Sequence, residues 1–167
     1  TIYSREEAKA NACVNLAYNF TVLGEPTRAL EQLKEAERLF QQDVWFRWRY
    51  NIRLQAEFAT HWIHVGDLNK AKEHAAKSLE LARGSVSRKH IAWAQKLLGD
   101  IASLDDRVDD AQAHYDQALQ GLALHACPTI EWRVLAARAR LAAQCKDSDA
   151  QDRFRRNAQR VAHALAA

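Results

Sequence analysis

The chain has 167 residues, 48% hydrophobic and 27% charged, with 5 Gly, 2 Pro and no Met, and a formal net charge of +3. That is enough chain to bury a core, and its Ala, Leu, Glu, Gln and Arg are the strong helix formers, so an all-α domain is expected. A net charge this mild does not argue for nucleic acid, no apolar run of about 18 residues predicts a membrane helix, and three widely spaced cysteines without a CxxC pair (Cys13, Cys127, Cys145) argue against a disulfide framework or a zinc site.

"SREE" opens the first helix, with Ser4 as cap and Glu7 reaching back, and Gly24 ends it after about Leu23. Pro26 starts the second helix, which runs to about Gln42; the third covers roughly Trp45 to Val65 and stops at Gly66. The fourth runs from about Leu68 to Arg83, with Gly84 as the expected left-handed cap. "SRKHIAWAQKLLGDIASL" is the fifth, and the acidic turn "DDRVDD" leads to the sixth, "AQAHYDQALQGLAL". Pro128 opens a seventh, and Ser148 with Gln151 is a capping-box pair for an eighth.

Two of these segments echo each other, "GEPTRALEQLKEAERLF" at 24–40 and "GDLNKAKEHAAKSLELA" at 66–82. Read as four antiparallel hairpins, the second helix of each carries an alanine near its start: Ala29, Ala71, Ala111 and Ala150. Twelve residues earlier stand Ala17, Ala59, Gly99 and Arg138; the first three are small, as a close helix crossing requires. Four residues after each alanine come Leu33, Ala75, Tyr115 and Phe154 to fill the space between hairpins. Self-similarity at this period marks a stacked helical solenoid, because one hairpin cannot bury both faces alone.

These segments resemble the tetratricopeptide repeats, strongly in "LAYNFTVLGEPTRALEQLKEAERLF" and "FATHWIHVGDLNKAKEHAAKSLELA", and more loosely in "LLGDIASLDDRVDDAQAHYDQAL". The last hairpin departs from the pattern at Arg138 and Asn157, where the family has small residues. A period nearer 40 than the family's usual 34 is similar to the long-helix variant of kinesin light chains and of the C-terminal arrays of bacterial signalling ATPases and transcriptional regulators. The resemblance implies one right-handed α-solenoid domain over 1–167, with repeats at about 4–42, 45–83, 86–125 and 128–166. The missing initiator methionine suggests a piece excised from a larger protein.

Other motifs lead to plainer readings. "DDRVDD" is similar to the aspartate-rich magnesium motif of isoprenoid synthases, but no second acidic motif accompanies it; its aspartates are expected to charge the N-terminus of the sixth helix. Arg107 and Asp110 stand where an EF-hand needs a ligand and a glycine. His61 and His64 in "HWIH" are expected to flank Trp62 as half-buried side chains rather than to bind metal. Neither a phosphate loop nor a nucleophile motif is legible, and neither catalysis nor a cofactor is expected. Trp45 and Trp48, interleaved with Arg47 and Arg49, are expected to pack between first helices, and the arginines of the last helix (Arg153, Arg156, Arg160) to form a solvated face.

In proteins of the resembled family the first helices of the hairpins line a concave groove for a peptide. By register the groove residues here would be Asn15 and Tyr18; Arg53, Glu57, Thr60 and His64; Trp93, Lys96 and Asp100; and Trp132. Family members that hold a C-terminal carboxylate use lysine, asparagine and arginine there; Asn15, Arg53 and Lys96 are the candidates, and the full set is not matched. The function so implied is a non-catalytic, cytoplasmic protein–protein interaction module, the regulatory or sensory part of a larger signalling or transcription-regulatory protein. Its partner would be a protein, a peptide or an adjacent domain of the parent, and the open solenoid ends would allow a dimer. The alternatives are a nucleic-acid-binding repeat using the arginine-rich C-terminal third, and a small-ligand sensor with a pocket near Trp62 and Trp93. A membrane partner is not expected.

Overall fold

Four helical hairpins follow one another in the computed structural model, which describes residues 2–41 and 47–166, with side chains described for 5–41 and 50–166. The helices are α1 (Ile2–Val22), α2 (Pro26–Phe40), α3 (Arg47–Val65), α4 (Leu68–Gly84), α5 (Arg88–Leu104), α6 (Val108–Leu124), α7 (Pro128–Gln144) and α8 (Ser148–Ala166). No strand occurs among the described residues. Residues up to His90 form one compact unit and residues from Ile91 a second.

The turn inside each hairpin is built the same way. A residue with positive φ stands at Gly24 (74°), Gly66 (87°), Asp106 (55°) and Lys146 (60°). The next N–H reaches back five residues, from Glu25 to the Phe20 carbonyl, Asp67 to Trp62, Arg107 to Ala102 and Asp147 to Ala142, at 2.9–3.0 Å. This is the Schellman closure of a helix C-terminus, and it fixes the repeat register independently of side-chain pattern. Glycine supplies the left-handed residue in two turns; aspartate, tolerated there, and lysine supply it in the others.

That register corrects the expected alignment of the last hairpin by one residue. Ala29, Ala71 and Ala111 donate to the carbonyls of Glu25, Asp67 and Arg107, and the equivalent donor is Gln151, to Asp147, not Ala150. The small position of α7 is therefore the half-buried Ala139. Arg138 points elsewhere, bonding Asp116 and lying 4.3 Å over the Phe154 ring. The capping expectation at Ser148 fails for a related reason: Asp147 is the cap, its carboxylate accepting from the Ala150 N–H at 2.9 Å, as Asp67 accepts from Lys70 at 3.1 Å. At the other end of the chain α1 begins at Ile2, so Ser4 lies within its first turn.

Between the second and third hairpins the left-handed residue is Val86 (φ 54°), not Gly84, which is the last helical residue of α4. Ser87 N–H bonds the Ala82 carbonyl at 2.9 Å, the same closure displaced by two residues.

In the N-terminal unit the core gathers Ala10, Val14 and Ala17 of α1, Leu33, Ala36 and Leu39 of α2, and Leu54 and Phe58 of α3. In the C-terminal unit Ala92 and Ala102 of α5 pack with Ala111, Tyr115 and Ala118 of α6 and Val134, Ala137 and Leu141 of α7. The alanines let helices approach closely, while larger residues such as Leu33 and Tyr115 fill the remaining gaps. Trp45, and the side chains of Arg47, Trp48 and Arg49, lie outside the described residues; Tyr50 stacks on Phe40 at 5.4 Å between ring centres.

Candidate functional site

The N-terminal unit brings α1 and α3 side by side, and two of the expected site residues meet there. Arg53 donates to the side-chain oxygens of Asn11, at 2.8 Å, and of Asn15. Asn11 and Asn15 are one helical turn apart, so both amides face the same guanidinium. Because guanidinium has only donors, both asparagines must turn oxygen inward and NH2 outward. The result is a donor-rich cluster in which Arg53 makes no close ion pair among the described residues, although Glu57, one turn on, feels its charge. Asn11 escaped the sequence reading, although its place four residues before Asn15 was the available signal.

Glu57 lies one turn beyond Arg53 on α3, half-buried and without a hydrogen-bond partner among the described residues. Burial pushes its carboxyl up to about 7, against the opposing pull of Arg53. Thr60 spends its hydroxyl on the Ala56 carbonyl of its own helix, at 3.0 Å. His64 and Tyr18 are exposed. The two histidines of "HWIH" turn out unlike: His61 is only 2% exposed, whereas His64 stands in solvent. The His61 Nδ1 and Trp62 Nε1 atoms are buried without a partner, and burial, with His64 adding to it, lowers the His61 pKa.

In the C-terminal unit Lys96 and Asp100, one turn apart on α5, form an ion pair with side chains only 13% and 15% exposed. Asp100 also accepts from the Tyr115 hydroxyl at 2.9 Å. Burial first, then the Asp100 charge and this bond, raise the Tyr115 pKa well above the usual phenol range. Lys96 and Asp100 thus compensate each other and tie α5 to α6. Lys96 Nζ lies 5.1 Å from the centre of the Trp93 ring. Arg133, on α7, lies 4.7 Å over Trp132 and 6.0 Å over Trp93, so the two tryptophans share one guanidinium. Arg133 was not expected at the site; it stands 40 residues after Trp93, one repeat on.

A partly buried polar pair repeats at the same step. The Gln55 side-chain oxygen meets His74 Nδ1 at 2.7 Å, and that of Gln95 meets His114 Nδ1 at 2.7 Å. Each glutamine donates its amide elsewhere, Gln55 to Asn51 and Gln95 to Gln117, so each oxygen accepts from the imidazole N–H. These pairs join first to second helices within each hairpin. A cleft of about 150 Å³ lies between α7 and α8, lined by residues including Arg138, Cys145 and Phe154.

Residues 55–123 match the family model of the tetratricopeptide repeat. No curated protein sequence matches the chain significantly. Among solved structures, the chain is similar to the apo form of RapI, with a TM-score of 0.73 at 17% identity, covering 95% of this chain and 57% of that one. It is similar also to aspartyl phosphate phosphatase F from Bacillus subtilis, with a TM-score of 0.77 at 12% identity, covering 95% of this chain and 41% of that one. The chain thus spans under two thirds of each of these proteins, and at such identities the likeness establishes the fold. Residues 55–123 carry tetratricopeptide repeat sequence, and the chain as a whole has the fold of a tetratricopeptide-like helical repeat protein.

Proposed function

We propose that the chain is a non-catalytic interaction module that binds a peptide or a partner domain on the first helices of its hairpins, as a regulatory part of a larger signalling protein. The observation that carries the reading is the Arg53 cluster: a guanidinium fixed by Asn11 and Asn15 and held in no close ion pair, one turn from Glu57, whose carboxyl makes no hydrogen bond among the described residues and feels the Arg53 charge against the effect of burial. Leaving polar groups half-buried with unspent hydrogen-bonding capacity costs folding stability, and a partner that supplies the missing groups recovers it. The repeat fold supports the same reading, since stacked hairpins present extended surfaces. A partner that binds one conformation of the parent better than another would shift its balance of states. The phosphatase name belongs to the Bacillus subtilis protein and is not carried to this chain.

A quantitative pull-down at moderate and high salt tests the proposal, comparing the chain with Arg53→Ala. A protein retained at both salts by the chain and lost by the variant supports it. Capture of nucleic acid that disappears at high salt and ignores Arg53 overturns it.

A further inference from the structure

We propose that the α5/α7 face of the C-terminal unit takes an acidic peptide segment, with carboxylates on Arg133 and Arg140 and apolar side chains against Trp93 and Trp132. The inference rests on the interaction-module reading, and gives that module's partner a chemistry.

The cations discussed around α5 and α7 fall into two sets. Lys96 is neutralised by Asp100, and Arg138 by Asp116. Arg133 and Arg140 have no carboxylate partner among the described residues; the one hydrogen bond of Arg133 goes to the Thr129 carbonyl of its own helix, at 2.5 Å. That bond spends one of five guanidinium N–H groups, which leaves donors for a bidentate carboxylate. Arg133 and Arg140 are seven residues apart on α7, hence on one face and about 10 Å apart along the axis. Arg140 is exposed to solvent.

The indoles do the second part of the recognition. Trp93 and Trp132 are both half-buried, and Arg133 lies over both rings. Stacking holds the guanidinium in one orientation before any partner arrives, so less side-chain freedom is lost on binding. The partly exposed rings offer apolar contact beside the charge, the composition of a binding hot spot. Trp132, Arg133 and Arg140 all lie beyond residue 123, outside the part of the chain that matches the repeat family. A nucleic-acid backbone would call for a longer track of uncompensated cations on this face, where Lys96 and Arg138 are already spent; the arginines of α8 lie on another helix. Two free guanidiniums beside two indoles suit a short acidic and apolar segment better.

The test pans a phage-displayed library of random dodecapeptides against the whole chain, then measures the best synthetic peptide by tryptophan fluorescence. Enriched sequences should carry Asp or Glu beside large apolar residues. Affinity should fall about tenfold or more with Arg133→Gln, and by a similar factor when the peptide's Glu is changed to Gln. Arg133→Lys keeps the charge and should retain part of the binding; circular dichroism of each variant shows that it folds. Enrichment without acidic bias, or binding indifferent to Arg133→Gln, overturns the inference. So does displacement of the peptide by an equimolar oligothymidylate, which would assign the face to nucleic acid. If peptides are enriched and are lost with Arg53→Ala but not with Arg133→Gln, the interaction module stands and this inference falls. If none is enriched above an unrelated immobilised protein, both fall.

Discussion

Gly99 and Tyr115 are built against each other: a Cβ on Gly99 would stand 2.5 Å from Tyr115 Cε1 and 2.7 Å from Cδ1. The corresponding pairs are Ala17 with Leu33 in the first hairpin and Ala59 with Ala75 in the second, all fully buried. The glycine is therefore the complement of the aromatic ring, and the ring is held by its bond to Asp100. Gly99→Ala should destabilise the protein by about 1–3 kcal/mol, although alanine is the better helix former by about 1 kcal/mol. Tyr115→Leu should shrink that penalty, since the double variant reproduces the Ala17–Leu33 pair. Urea unfolding of the two single variants and the double variant measures the coupling, and additive effects would refute the packing account.

Glu57 makes stability depend on pH in a definite direction. Its folded pKa of about 7 lies above the usual carboxyl value, so the folded state keeps a proton that the unfolded state releases. The stability contributed by the neutral form is complete below about pH 4.5 and is lost as pH rises through about 7. Glu57→Gln should match the wild type near pH 5 and exceed it by about 2 kcal/mol at pH 8. His61 and His74, whose pKa values burial lowers, act in the opposite sense and cost stability as pH falls below about 6.5. Thermal melts of both proteins from pH 5 to 8 isolate the Glu57 part, and a difference that does not change with pH would contradict it.

The turns carry their own prediction. Val86 is β-branched, 70% exposed and in the left-handed region, so its backbone is strained for no packing gain. Val86→Gly should stabilise by about 1 kcal/mol. Gly66→Ala, at φ 87° with open space around the added methyl, should cost about 1 kcal/mol from backbone strain alone. Chemical denaturation of the pair checks both signs, and equal effects would remove the conformational explanation.

All eight helices could be read from helix formers, Gly24, Gly66 and the two prolines, because local propensity and the tertiary arrangement agree. The last hairpin slipped by one residue because its register was counted from Ala150 rather than from the turn. With Lys146 in place of glycine, nothing local marked that turn. Gly84 misled for the converse reason: it ends α4 without turning left, and Ser85 and Val86 complete the closure. Helix register put Arg53 and Asn15 on first helices, and the packing of α1 beside α3 brings these two side chains together. The i,i+4 spacing of Lys96 and Asp100 on α5 was a legible sign of their pairing; the Tyr115–Asp100 bond, which joins two helices, was not. The sharing of Arg133 by two tryptophans needed the packing of α5 on α7.

Hydrogen–deuterium exchange with and without a library-selected peptide tests the central claim most directly. The account predicts slower exchange along the first helices, α1 and α3 or α5 and α7, with α2, α4, α6 and α8 unchanged. Protection confined to the second helices, or to the arginines of α8 between Arg153 and Arg160, would contradict it.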